Sequence, residues 1–358
     1  MSTVHVVLPD GVDDPARPSG GNHYDRQVCA GLARQGWTVR EVVVPGAWPR
    51  PGRADLARLA GATGAVPDGA VLLVDGLVAS GAGAVLTEES RRLRLVVLVH
   101  MPFGDVEVPA ADECAVLACA RAVVTTSGWT RNLLITRYGL DPGRVAVARP
   151  GAVRGEPVPG SSGGDRLLCV AALASHKGQD LLVEALAGLT DRAWHLTLVG
   201  PLDRDPAFVA DLRRRAATSG VGDRIAFRGP LGRADLDREH AAADLVVTPS
   251  RLEAYGMAVP EALARGLPVV AAATGGLPEA VGTTPLGPPG LLVPPDDAAA
   301  LRAALVAWLH DPGLRDRLRH AALLRRAELP GWDETARHLA AALEEAAEPA
   351  PATARVDR

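Results

Sequence analysis

Short apolar runs alternate with longer amphipathic stretches along almost the whole chain. Runs at residues 3–8, 37–44, 70–75, 93–99, 122–126 and 145–148 are rich in valine and leucine, and turn residues bound most of them. Each has the length of a strand, and most have too few polar positions for a strand with one wet face. They therefore predict strands covered on both sides. Between them, apolar residues return at helical spacing over 22–34, 82–92, 112–119 and 127–138. In the first of these, Val28, Leu32 and Ala33 mark the inward face and Gly36 supplies the stop. Ser127 stands where the fourth helix needs an N-cap.

The alternation resumes after residue 165. Strands are expected at 167–171, 194–199, 224–227, 244–248, 268–272 and 291–293, with helices at 179–189, 207–219, 233–242 and 257–265. Helices 298–310, 312–328 and 332–345 follow. Strands alternating with helices at this spacing predict two parallel sheets in an α/β protein. Residues 154–165, rich in Gly, Pro and Ser, are the most linker-like stretch. The boundary is placed there: a first domain over 1–155, a second over 165–330, a helix over 331–347, and a tail, 348–358, expected to be disordered.

Composition narrows the function classes. With 358 residues there is enough chain for two cores, and 47% apolar and 22% charged residues are ordinary for a soluble globular protein. A net charge of −4 gives no argument for nucleic acid. No stretch reaches the roughly 18 apolar residues of a membrane span, and the amino terminus lacks a basic, then apolar leader. A cytoplasmic protein is expected. Cys29, Cys114, Cys119 and Cys169 are scattered without a C-x-x-C, as free thiols would be. No set of His, Cys and carboxylate has metal-ligand spacing, so neither metal nor other cofactor is expected. Nothing resembles a nucleophile elbow. Asp203-Arg-Asp205 matches D-x-D but precedes a helix, where an N-cap explains it better.

The candidate chemistry collects after the carboxyl ends of strands, where α/β sheets place ligands. Gly20-Gly21 open a helix after the first strand, although the G-x-G-x-x-G dinucleotide fingerprint is absent. His100 lies just past the fourth strand, and Lys177-Gly178 open a helix after a strand and loop. Glu253 falls on the loop before the helix at 257–265 and Glu261 inside it, so the two carboxylates can serve different parts of one long ligand. Pro260 fits only in that helix's first turn. The amides from Tyr255 to Ala258 are then unpaired donors at a positive helix end, suited to an anion.

Taken together, S-G-G-N-H-Y near residue 20, L-x-x-x-K-G at 173–178, P-S-x-x-E-A-Y-G-M-A-V-P-E-A-L-A-x-G-L-P-V-V at 249–270 and T-G-G-L-P-E at 274–279 resemble the retaining GT-B glycosyltransferases of family GT4. The resemblance covers nearly the whole chain and is strongest over 165–295. It implies two Rossmann-like domains facing across a cleft, with the last helix crossing back to the first. The implied donor is a nucleoside-diphosphate sugar, held mostly by the second domain, with the acceptor held mostly by the first. Carried over by position, Glu253 and the amides of Ala254, Tyr255 and Gly256 would hold sugar hydroxyls. The amides near Met257 and Ala258, with Lys177, would hold the diphosphate. Glu261 would take the ribose, and the backbone around Gly229 the base. Gly20 and Gly21 would close over the phosphates, and His100 would stand near the reacting centre. The resemblance implies transfer of a hexose-type sugar with retained configuration and no metal. One position departs from it: Ala172 stands where the family often has a second diphosphate cation, and His176 is the residue placed to replace part of that charge. That departure keeps a weakly active or merely nucleotide-sugar-binding protein in view, beside a sugar-nucleotide epimerase of the same architecture.

Overall fold

The computed structural model describes residues 2–14, 18–104 and 107–348; of the tail expected to be disordered, only Glu348 falls within them. Twelve strands form two sheets of six. The first contains β1 (Thr3–Pro9), β2 (Thr38–Val44), β3 (Val71–Asp75), β4 (Arg94–Val99), β5 (Ala122–Thr125) and β6 (Val145–Val147). The second contains β7 (Arg166–Val170), β8 (His195–Val199), β9 (Ile225–Gly229), β10 (Leu245–Thr248), β11 (Val269–Ala272) and β12 (Gly290–Val293). Their orders are β2-β1-β3-β4-β5-β6 and β12-β11-β10-β7-β8-β9. Neighbouring strands pair in parallel throughout, including the two central pairs β1–β3 and β10–β7.

Each apolar run of the sequence is one of these strands, because a parallel strand buried on both faces needs an unbroken hydrophobic run. β3, β5, β10 and β11 are buried at every position. Three helices were not legible: Arg53–Gly64, Gly76–Ser80 and Leu277–Val281. The first buries only Leu59 and Thr63, too thin a stripe to show a period. The other two are five residues long, too short for one.

In both sheets the strand order reverses beside the first strand of the lobe. Connections there leave to opposite faces and open a crevice at the carboxyl ends of the strands. The crevices lie between β1 and β3 in one lobe and between β7 and β10 in the other. The last helix, Trp332–Ala347, belongs to the first lobe's core: Trp332, Leu339 and Leu343 pack with Val4, Tyr24 and Leu32. It lies against the Gly20–Arg34 helix so closely that a side chain at Gly31 would come within 2.5 Å of the Ala336 methyl. Among the described residues no helix is long and apolar enough to cross a membrane, and all four cysteines are free.

Candidate active site

The second lobe's crevice is built from the loops that follow β7 and β10. The β7 loop ends in a short turn, Ser175–Lys177, and Gly178 follows at φ 69°. A side chain at Gly178 would overlap the Pro249 carbonyl, so glycine lets the two loops touch. Arg251 ties them together. Its backbone N–H donates to the His176 carbonyl at 2.8 Å, and its guanidinium to the Ser175 carbonyl at 2.6 Å and to both Asp180 oxygens at 2.8 Å. Burial alone would raise the Asp180 pKa, but the Arg251 fork prevails and holds it below the usual carboxylate range. Clamped this way, the loops bring Lys177 Nζ onto Glu253 Oε2 as a direct ion pair, with both side chains largely buried. Sequence reasoning missed Arg251, since an arginine on a loop carries no sign of what it clamps.

Beyond Glu253 the chain is shaped by glycines. Gly275, at φ 56°, and Gly276 lie directly on the backbone of Glu253 and Ala254, and Gly276 N–H donates to the Glu253 carbonyl at 3.0 Å. The helix Ala258–Leu263 then begins, with Pro260 inside its first turn as required. The amides of Tyr255, Gly256, Met257 and Ala258 donate to no described group. They form a row of free donors at the helix start. The Glu261 carboxylate makes no hydrogen bond or ion pair among the described residues. Burial raises its pKa, opposed by Arg233 and Arg265. Gly229 ends β9 at φ 68°, its carbonyl accepting from Gly200 N–H at 2.9 Å, and Arg233 follows four residues on. His176 is pushed towards the neutral form by burial and then by Lys177. Asp205 caps the helix Pro206–Thr218, accepting from Phe208 N–H at 3.0 Å, so the D-x-D match is helix-start chemistry.

The first lobe meets this row directly. Ser19 caps the Gly20–Arg34 helix by accepting from Asn22 N–H at 3.0 Å. A side chain at Gly20 would lie 3.3 Å from Met257 Sδ, and one at Gly21 would lie 3.3 Å from the His100 ring. Met257 packs against the cores of both lobes. Gly20, Gly21, His100 and Met257 are therefore brought together, whereas Lys177 and Glu253 form a separate pair on the same loop system. Three interlobe contacts flank them. Ser127 Oγ donates to the Ala254 carbonyl at 2.6 Å, Gly128 N–H donates to Glu279 Oε2 at 2.8 Å, and Arg149 pairs with the other Glu279 oxygen.

His100 itself is held by two acids that sequence reasoning did not single out. Nε2 lies 2.8 Å from Asp25 Oδ1 and 3.2 Å from Asp75 Oδ2. Burial opposes the imidazolium, but the two carboxylates prevail and raise the His100 pKa to about 10. Asp75 could have been found, because it is the last residue of a buried strand beside the crevice. Asp25 lies inside a helix and carried no such signal. Ligand atoms of Asp25, Asp75 and His100 lie within 4.8 Å of one another, near enough to share either a cation or a proton.

A cationic amine, a row of free amides and glycine backbone facing them across a crevice suit an anionic, phosphate-bearing ligand. Glu261, a carboxylate without a partner among the described residues, and Glu253, held only by Lys177, suit hydroxyl donors. The family model for glycosyl transferases group 1 matches residues 159–325. The chain is 33% identical over 77% of its length to D-inositol 3-phosphate glycosyltransferase 1 of Catenulispora acidiphila, of which the match covers 70%. It is 31% identical over 73% of its length to the D-inositol 3-phosphate glycosyltransferase of Streptomyces coelicolor, covering 64% of that protein. Among solved structures, sucrose-phosphate synthase from Thermosynechococcus elongatus superposes with a TM-score of 0.79 at 23% identity, over 96% of this chain and 99% of that one. Anabaena HepE in complex with UDP-glucose superposes with a TM-score of 0.77 at 19% identity, over 96% and 100%. Two six-stranded parallel sheets in Rossmann-like lobes are thus the GT-B fold, and the chain belongs to the group 1 glycosyltransferase family.

Proposed function

We propose that the protein is a retaining, metal-independent hexosyltransferase. It moves a sugar from a nucleoside diphosphate to an acceptor hydroxyl. The observation that carries this is the Lys177–Glu253 pair on the loop that leads into the free amides of Tyr255 to Ala258. Lys177 and those amides take the diphosphate. Glu253, freed from Lys177 as the phosphates arrive, turns to the sugar hydroxyls. Glu261, with no partner among the described residues, takes the ribose. The backbone at Gly229 meets the base, and Gly20 and Gly21 approach the phosphates from the other lobe.

In the step itself the bond from the anomeric carbon to the diphosphate oxygen breaks and a bond to the acceptor oxygen forms on the same face. The acceptor proton passes to the leaving diphosphate. Lys177 and the amides stabilise the charge that grows there, and preorganised donors of this kind are the largest catalytic contribution in many enzymes. The relatives' names put D-inositol 3-phosphate at the head of the acceptor panel, and the HepE complex puts UDP-glucose at the head of the donor panel. The test combines UDP-, GDP- and dTDP-sugars with that acceptor and reads the product by NMR. A product with the donor's anomeric configuration is expected, with turnover unchanged by chelator. An inverted linkage overturns the retaining mechanism, and loss of turnover on chelation overturns metal independence.

A further inference from the structure

We propose that Asp25 is a positioning residue for His100: it shares one proton with Asp75, and together the two acids fix the ring as a cationic donor whose Nδ1 is left for a ligand. This rests on the reading of the cleft as a glycosyl-transfer site. The geometry is specific. Asp25 and Asp75 are 1% and 4% exposed, and His100 Nε2 reaches both. Asp25 Oδ2 is buried and has no recorded donor, although the Asp25 and Asp75 side chains lie within hydrogen-bonding reach of each other. Two ionised carboxylates cannot satisfy one another, because neither has a hydrogen to give. A proton on one of them removes both the unpaired atom and the like-charge repulsion.

The direction of each shift agrees. Burial, opposed by His100 and reinforced by Asp75, raises the Asp25 pKa. Asp75 is lowered despite burial, because His100, Asp25 and the Leu77 N–H all bond it. The cluster then holds one imidazolium, one carboxylate and one carboxylic acid, which is neutral overall, as a buried set of charges should be. The other groups around it bring no opposing charge. Tyr24 stands edge-on to the ring at 5.1 Å with its hydroxyl donated to the Ala148 carbonyl, Gly21 covers one side, and Thr126 donates to the His100 carbonyl. Cys29 lies beside Asp25 and is a neutral thiol, pushed up to about 12 by burial.

The consequence is functional. With Nε2 committed to the acids, only Nδ1, bonded to no described residue, can meet a ligand in the cleft, and a charged ring can donate there but not accept. His100 is therefore a donor to a sugar or phosphate oxygen and not the base that takes the acceptor proton. That base must be elsewhere, which fits the departing diphosphate.

The test uses the full chain with isotopically labelled histidine, the His100 resonance being assigned by its absence in His100→Gln. In the wild type His100 stays charged at pH 8, with both ring nitrogens protonated. Where His100 titrates, at about 10, Asp25 has already lost its proton and is ionised, so in Asp25→Asn the His100 midpoint falls by about one pH unit or more, the scale set by one neighbouring charge, and turnover falls on the order of ten-fold with the donor KM little changed. An unchanged midpoint in Asp25→Asn overturns the proposal, as does a neutral His100 at pH 8 in the wild type. Should Asp25→Asn fail to fold, the wild-type titration decides by itself. Titration with Mn2+ is the third arm: stoichiometric binding that broadens the His100 resonance would make the cluster a metal site and overturn proton sharing. The histidine titrations and the Mn2+ arm need neither donor nor acceptor, so the proposal can fail while the glycosyl-transfer reading stands.

Discussion

Lys177 and Glu253 satisfy each other in the structure described here, yet each is assigned to a different part of the donor. Removing either leaves the other as a largely buried charge without its partner, in addition to deleting a donor contact. Lys177→Ala and Glu253→Ala are each expected to lower turnover by about 100-fold or more, the scale of one lost electrostatic donor at a reacting centre. Steady-state kinetics on a fixed donor and acceptor checks this, and a variant within three-fold of wild type would remove that residue from the mechanism. The His100 cluster makes a second prediction at this scale. Its folded-state pKa is raised from 6.5 to about 10, so the stability it contributes is complete below pH 6.5 and is lost as pH rises through about 10. Asp25 is raised too, and its contribution falls in a lower window, as pH climbs above the ordinary carboxylate range. Melting temperature measured against pH should therefore fall more steeply with rising pH in the wild type than in Asp25→Asn. Parallel curves would contradict the assignment.

At the level of elements, the site is braced by a helix far away in sequence. Trp332, at the start of the last helix, packs edge-on against Tyr24 at 5.6 Å, and Tyr24 packs edge-on against His100 at 5.1 Å. Trp332→Ala removes a buried ring from this chain of contacts and is expected to destabilise by about 3–5 kcal/mol, with turnover falling further than stability alone explains. Gly31→Val is a milder probe of the same joint. It forces bulk against Ala336 and should destabilise by about 1–3 kcal/mol. Urea titration measures both, and a Gly31→Val protein as stable as wild type would show that the helices can separate there without loss. Loop clamps follow the same logic. Arg251 joins the β7 and β10 loops through four hydrogen bonds, two of them to the Asp180 carboxylate.

For the whole molecule, the contacts that matter cross between lobes. Glu279 accepts from the first amides of the Gly128–Tyr138 helix and pairs with Arg149, and Ser127 bonds Ala254 next to the free amide row. A carboxylate at a helix start is stabilised by that helix's dipole, so Glu279 ties the second lobe to the first at the donor site. Glu279→Gln combined with Ser127→Ala should loosen the pair. Small-angle scattering would then show a larger radius of gyration without donor, and a smaller change on adding UDP-glucose. Identical profiles for variant and wild type would deny those contacts a role in holding the lobes.

Much of this was legible in the chain before folding. Strands buried on both faces must be written as unbroken apolar runs, so all twelve could be read, and their alternation with helices implied parallel sheets. Pro260 fixed where one helix could begin, and Ser127 and Asp205 marked two others, because caps and first turns are local chemistry. Glu253, Glu261, Lys177 and the paired glycines stood out for the same reason: they occupy short, contiguous stretches. The tertiary structure alone decided which distant residues meet. That Lys177 lands on Glu253, that Asp25 and Asp75 hold His100 from a helix and a strand, and that Trp332 supports them from the far end of the chain depends on sheet order and lobe packing. Those contacts join residues tens to hundreds of positions apart, and a linear pattern with periods of two or 3.6 residues holds no record of them.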